Sequence, residues 1–288
     1  MKRTRSNSLI TSIIFSKNRP LQLDLTIKSI KQNFPDCSKI IVLHNNDTEF
    51  TEAHSILCSE HKDIESWQQS GSIFSDVFAA SITTENDLIC FFTDDNICYK
   101  LFECENYDFL QDEYASCLSL RMGMNITERC HNGVTGQDKC QKMFYTDNDM
   151  IAWPKTWHGY GSYWSYDLSV DGHIFRKADV VSMMDELCFL QSRYNWNNTP
   201  NVLESEIQRF WPIRGNYIIA PKHSVVVNSP NNRVQESHQD NRAGDVFNYD
   251  SGYLRKQYMS GNRINIDYLD FGEIKCPHTE IDLIKGIK

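Results

Sequence analysis

Short apolar runs alternate with longer segments of helical period over the first third of the chain. Leu9–Phe15 (LITSIIF) is a β-prone run closed by the turn Ser16-Lys17-Asn18-Arg19-Pro20. Leu21–Asn33 has apolar residues at 21, 23, 25, 27 and 30, with Pro20 at the first helical turn, where its missing N–H costs nothing. Lys39–Leu43 predicts a second strand that ends in His44-Asn45-Asn46-Asp47. Thr48–Ser59 follows as a helix and Asp63–Trp67 as a weak third strand, and Ser72–Thr83 places Ile73, Val77, Ala80 and Ile82 on or near one helical face. The fourth strand lies in Asn86–Tyr99, NDLICFFTDDNICY. Its run Leu88, Ile89, Cys90, Phe91, Phe92 is too short for a typical helix and reads as a central strand buried on both faces. Strand–helix alternation with short connections predicts an α/β fold: a parallel sheet, helices on both faces, and strand ends gathered at one polar edge.

Beyond Tyr99 the alternation fades. Tyr114–Leu120 predicts another strand, and residues 121–165 are irregular, rich in Asn, Gly, Asp and aromatics. Segments of that length inside a domain often serve as lids or carry small elements. Trp153, Trp157, Tyr160, Tyr163, Trp164 and Tyr166 crowd together there; such rings either fill a core or form a wall for a sugar or base. Ser169–Phe175 (SVDGHIF) reads as a strand with Asp171-Gly172-His173 inside it, and Ala178–Ser192 as an amphipathic helix. A polar turn at Asn195 leads into a helix running to about Trp211, short strands follow at Ile218–Ala220 and Ser224–Asn228, and Tyr253–Met259 is helical. No repeat and no clean linker divides the chain.

Composition narrows the classes. Of 288 residues, 40% are hydrophobic and 23% charged, enough for a sizeable core, and the net charge of −9 argues against a broad basic surface for duplex DNA or anionic membrane. No apolar run reaches bilayer length, and Leu9–Phe15 behind the basic MKRTRSNS start is too short for a signal-peptide core. The ten cysteines include no C-x-x-C pair, which argues against a zinc knuckle, and without a secretion signal free thiols in a reducing cytoplasm are expected, or host cytoplasm for a viral protein. The sequons at Asn46, Asn125 and Asn198 then read as chance matches. Neither G-x-G-x-x-G after the first strand nor a P-loop motif is present, which excludes a Rossmann dehydrogenase and a P-loop enzyme.

Candidate chemistry concentrates after the fourth strand. Asp94 and Asp95 sit where open α/β sheets bind ligands, and two adjacent carboxylates there are costly unless something positive meets them. Oxygen-only ligands suit Mg²⁺ or Mn²⁺ shared with substrate phosphates; an ordinary polar turn is the plain alternative.

Taken in order, IIFSKNRPLQL, a strand ending in NND, ENDLICFFTDDNI, YDLSVDGHIFR, NTPNVLE, VVVNSPNNRVQ and YMSGNRINIDYLDF resemble GT-A-fold glycosyltransferases of the family-2-like bacterial and viral type, from about residue 8 to 280. The resemblance implies one GT-A-type domain over 1–288: a Rossmann-like mixed sheet with a nucleotide-sugar half (about 8–120) and an acceptor half (about 121–280). It implies transfer of a hexose or pentose from a nucleotide-diphosphate donor to a hydroxyl of a glycan or glycoconjugate, with Mn²⁺ or Mg²⁺ and, by analogy, inversion. In the x-D-D reading of the DxD motif, Asp95 binds the metal and Asp94 the sugar or ribose and the metal; read as D-x-D, the third place falls on the neutral Asn96. Phe15, Ser16, Lys17, Asn18 and Arg19 would surround the nucleoside, Asn45, Asn46 and Asp47 read the base, and Arg233 clamp the diphosphate. Glu204, just after the NTPNVL turn, is one candidate base and Asp171 its rival; a helix-start carboxylate is equally at home at 204 for dipole reasons. His278 is a candidate late metal ligand, with His173, His223 and His238 as competitors, and Trp164, Asp167 and His173 are candidate acceptor contacts. Two rival functions stay open: a viral transferase acting on modified DNA bases, which needs only a local footprint around a flipped base, and a non-catalytic sugar-binding module.

Overall fold

The computed structural model describes residues 10–104, 107–110, 114–131, 134–146, 150–155, 161–166, 168–194, 196, 198–210, 215–235 and 243–288. Strands β1 (Ile10–Ser16), β2 (Cys37–His44), β3 (Glu65–Gln68) and β4 (Leu88–Thr93) alternate with helices α1 (Pro20–Asn33), α2 (Thr51–Glu60) and α3 (Ile73–Ile82). The four strands are mutually parallel in the order β3-β2-β1-β4. The right-handed crossover rule puts α1 and α2 on one face and α3, whose connection runs back across the sheet, on the other; α1 and α2 pack together while α3 packs with other helices. The chain steps outward from β1 to β2 and β3, then jumps back to the far side of β1 as β4. The crevice between the ends of β1 and β4 is therefore the switch point of the sheet.

Each apolar run earns its place. Ile10, Ile13 and Ile14 of β1 and Ile89, Cys90, Phe91 and Phe92 of β4 are fully buried, as a strand covered on both faces requires. Pro20 opens α1 as expected, and Ser72 caps α3 by accepting a hydrogen bond from the Ser75 N–H at 3.2 Å.

After β5 (Asn96–Cys98), the second half extends the same sheet. Strands β6 (Ala115–Ser119), β7 (Glu128–His131), β8 (Val134–Gln137), β9 (Phe144–Tyr145), β10 (Met150–Pro154), β11 (His173–Arg176), β12 (Tyr217–Pro221) and β13 (Val226–Asn228) complete the set, with helices α4 (Lys177–Gln191), α5 (Pro200–Phe210) and α6 (Ser251–Met259). Nine of them form one mixed sheet, β3-β2-β1-β4-β11-β6-β12-β10-β9, in which β11 runs antiparallel to both β4 and β6. α4 and α5 pack with α3, and α6 with α1 and α2. The expected α/β class, a Rossmann-like mixed sheet flanked by helices, is what the chain forms.

Three local expectations need correction. The stretch read as irregular holds a buried strand, β10, between β12 and β9, and a separate β7–β8 hairpin. Asp171-Gly172 lies in a turn before β11 rather than inside a strand. Gly172 has φ +70°, and a Cβ there would meet Val226 at 3.1 Å, so the turn is shaped for glycine. Cys130 and Cys276 are joined in a disulfide, although all ten cysteines were expected to be free. That bridge ties the segment preceding His278 to β7, where Thr127 and Glu128 also donate to the Lys275 carbonyl. It closes a loop of 146 residues, so reduction is expected to cost about 4–5 kcal/mol of stability. A thiol reagent added to the unfolded, unreduced chain should count eight thiols, and a count of ten would remove the bridge. No described helix is long and apolar enough to cross a membrane.

Candidate active site

The loop after β1 wraps the acidic pair after β4. In the register of β1 with β4, Phe15 stands beside Thr93, and the Asp94 N–H donates to the Phe15 carbonyl at 3.0 Å. Asp94 Oδ2 then accepts from the Ser16 hydroxyl and the Lys17 N–H, both at 2.9 Å. Arg19 Nη1 donates to Asp94 Oδ1 at 2.9 Å and to Asp95 Oδ2 at 2.8 Å. The remaining oxygen, Asp95 Oδ1, accepts from Asn228 Nδ2 at 2.7 Å and lies 2.8 Å from the Thr93 hydroxyl. Every oxygen of the pair thus has a partner. Burial pushes the Asp94 carboxyl up to about 6 against the pull of Arg19, with the charge of Asp95 adding to the rise. Burial opposes the charge on Arg19, but Asp95 and Asp94 outweigh it and hold the guanidinium above its ordinary value.

A second polar cluster joins the first through shared partners. Asp171 Oδ1 lies 2.8 Å from the Thr93 hydroxyl and accepts from Asn96 Nδ2 at 3.2 Å. Asp171 Oδ2 accepts from Arg121 Nη1 at 3.1 Å, with His278 Nε2 at 3.5 Å. Burial alone would raise the Asp171 carboxyl; His278 and Arg121 outweigh it and hold the group well below the usual carboxylate range. Glu204 on α5 accepts from the Val170 N–H at 3.2 Å, beside the Asp171 turn. Burial first, and the charge of Asp171 second, raise its carboxyl above the ordinary value. The two carboxylates are pushed apart in opposite directions by their surroundings, the pattern expected where one group must carry a proton and its neighbour must not.

The expected site residues separate into three groups. Ser16, Lys17, Arg19, Asp94, Asp95, Asp171, Glu204 and His278 are brought together by these contacts. Asn18, Asn46 and Asp47 form a ring at the ends of β1 and β2. Asn18, with φ +57°, donates its N–H to Asn46 Oδ1 at 2.8 Å and its Nδ2 to Asp47 Oδ2 at 2.6 Å. Asn45 and Arg233 are exposed near this edge, Asn45 through a backbone bond to the Ser16 carbonyl and Arg233 next to Asn232. The third group is core. Phe15 stacks on Phe91, and Trp164, 2% exposed, packs edge-on against Trp153. His173 is 1% exposed, its Nδ1 accepting from the Ser169 N–H at 2.7 Å and its Nε2 lying 2.6 Å from the Ser119 hydroxyl. It is linked to the Asp171 turn through Ser169, whose hydroxyl accepts from the Asp171 N–H at 3.1 Å. Asn96 is fully buried, its Oδ1 accepting from the Thr93 N–H. His223 is exposed on the β12–β13 turn; Asp167, Trp157, Tyr160 and His238 lie outside the described residues.

Sequence reasoning missed Arg121, Asn228 and Asn232. Arg121 is 2% exposed two residues after the buried strand β6, and a charge following so apolar a run was the available signal. Asn228 and Asn232 belong to the quoted VVVNSPNNRVQ segment, where only Arg233 had drawn notice.

The fit of a divalent cation follows from the donor set. Such an ion takes lone pairs from several oxygens at once. Asp94 and Asp95 already share theirs with Arg19, Ser16, Lys17, Thr93 and Asn228, and His278 turns to Asp171 instead of the pair. Among the described residues no three His, Cys, Asp or Glu side chains are grouped to hold a metal ion. As the side chains stand, the site does not fit one.

Among solved structures, S. aureus TarS 1-349 in complex with UDP is similar to this chain at 15% identity and a TM-score of 0.47, covering 77% of this chain and 61% of that one. The same TarS segment in the structure whose description names no ligand gives a TM-score of 0.44. The mannosyltransferase PcManGT from Pyrobaculum calidifontis, in complex with GDP-Man and Mn2+, is similar at 11% identity and a TM-score of 0.28, over 38% of this chain and 34% of that one. The chain therefore spans less than two thirds of each of these structures. No family model matches it, and no curated protein does.

Proposed function

We propose that the chain is a glycosyltransferase that moves a sugar from a nucleotide-diphosphate donor to a hydroxyl of a glycan or glycoconjugate. The observation carrying this reading is the β1–β4 switch point. There the loop after β1, the Asn18–Asn46–Asp47 ring and the Asp94–Asp95 pair meet one edge, and Asp171 reaches the same pair through Thr93 and Asn228. Such crevices bind nucleotides in open α/β sheets. In this reading the amide and carboxylate ring meets the base. Lys17 and Arg233 are the cations assigned to the diphosphate.

Chemistry is assigned to the second cluster. Glu204 accepts the proton of the acceptor hydroxyl as the new C–O bond forms at the sugar's anomeric carbon; the bond from that carbon to the phosphate oxygen breaks, and the nucleoside diphosphate leaves with the electron pair. Attack opposite the leaving group inverts the configuration. Asp171, kept ionised by Arg121 and His278, stabilises the positive charge that develops on the sugar ring. The sugar-binding-module alternative loses part of its proposed wall, since Trp153 and Trp164 are buried in the core.

The test is release of nucleoside diphosphate from a panel of nucleotide sugars, headed by UDP- and GDP-sugars, with simple glycosides as acceptors. Release from one donor, accelerated by an acceptor, is the expected result. No release from any donor would leave a binding protein at most.

A further inference from the structure

Resting on the transferase reading, we propose that Arg19 is a built-in counter-cation that masks Asp94 and Asp95 from divalent ions in the free protein. One guanidinium nitrogen, Nη1, bridges the two carboxylates at 2.9 and 2.8 Å, the place between them that a shared cation would take. The outer oxygens are satisfied by Ser16, Lys17, Thr93 and Asn228, so each new bond to a metal would have to replace an existing one.

Arg19 is also anchored from behind. Nε donates to Asn232 Oδ1 at 2.7 Å and Nη2 to the Asn232 carbonyl, and the residue is only 9% exposed. A guanidinium does not give up its proton, so the mask is a permanent charge that a change of pH does not remove. With Arg19 between the carboxylates and every outer oxygen partnered, the pair as it stands offers a divalent ion no place.

Manganese alone is the probe, titrated into the full chain and followed by the electron-spin-resonance signal of the free ion. Wild-type protein is expected to hold it weakly. Arg19→Gln should bind at least about tenfold more tightly, and adding Asp95→Asn to that variant should abolish the gain. Equal or weaker Mn²⁺ affinity in Arg19→Gln overturns the proposal. Should Arg19→Gln fail to fold by circular dichroism, Arg19→Lys replaces it: a point charge lacking the planar fork should give intermediate affinity. The wild-type arm does not depend on replacing Arg19, because tight Mn²⁺ binding by the wild-type chain that Asp95→Asn removes is itself a refutation. Calorimetry with UDP and GDP in chelator tests the transferase reading separately, so failure there leaves the manganese comparison to stand or fall alone.

Discussion

Glu204→Gln is expected to slow sugar transfer by about 10²–10⁴-fold while leaving nucleoside-diphosphate binding intact. The substitution keeps size and hydrogen-bonding reach but removes the ability to take a proton. Burial and the charge of Asp171 hold the Glu204 carboxyl above its ordinary value. A base must be deprotonated to work, so wild-type turnover should fall as pH drops through that raised value, and the acid limb should sit higher than an ordinary glutamate gives. The limb should disappear in Glu204→Gln. Turnover against pH at saturating donor reads both effects. If Glu204→Gln keeps full rate and Asp171→Asn does not, the base is Asp171.

The second large effect concerns Arg121. Arg121→Met removes the cation from Asp171 Oδ2 and leaves a buried carboxylate with His278 Nε2 beside that oxygen. Breaking a buried pair from one side costs about 3–5 kcal/mol, and that loss should appear in urea unfolding at neutral pH. The pH dependence has a definite sign. Asp171 has its folded-state value lowered, so its contribution is present above the unfolded value and is lost as pH falls through the folded one. Weakening that depression should move acid unfolding of Arg121→Met to higher pH. A variant as stable as wild type, with an unmoved acid transition, would show that Arg121 does not support Asp171.

Much of the first half was legible because its signals are local. A β-branched run, a proline at a helix start or a Ser72 cap is set by neighbours in sequence, and β1 to β4 with α1 and α3 appear within one or two residues of their expected bounds, while α2 starts three residues later than expected, after a 3-10 turn at Thr48–Phe50. The second half pairs distant segments. β6 lies parallel to β12 and β11 is inserted between β4 and β6, arrangements that no periodicity within either strand encodes. Strand β10 was hidden by the polar residues around it.

At the site, residue type was legible and surroundings were not. Asp94, Asp95 and Glu204 stood out as carboxylates at element ends, and Asp171 as one inside an expected strand. That Arg19 would lie between two of them depends on a loop arriving from the next strand in the sheet. The same blindness to burial made Phe15, Trp164 and His173 look like site residues, although each is enclosed by the core.

The most direct measurement is nucleotide binding, read as the thermal stabilisation of wild-type protein by UDP, GDP and the other nucleoside diphosphates. A diphosphate at a hundred times its dissociation constant should add about 2.7 kcal/mol of stability. One nucleotide should do so, and Lys17→Ala should weaken its effect. If no nucleoside diphosphate or nucleotide sugar stabilises the protein, with or without Mn²⁺, the β1–β4 edge is not a donor site and the account fails.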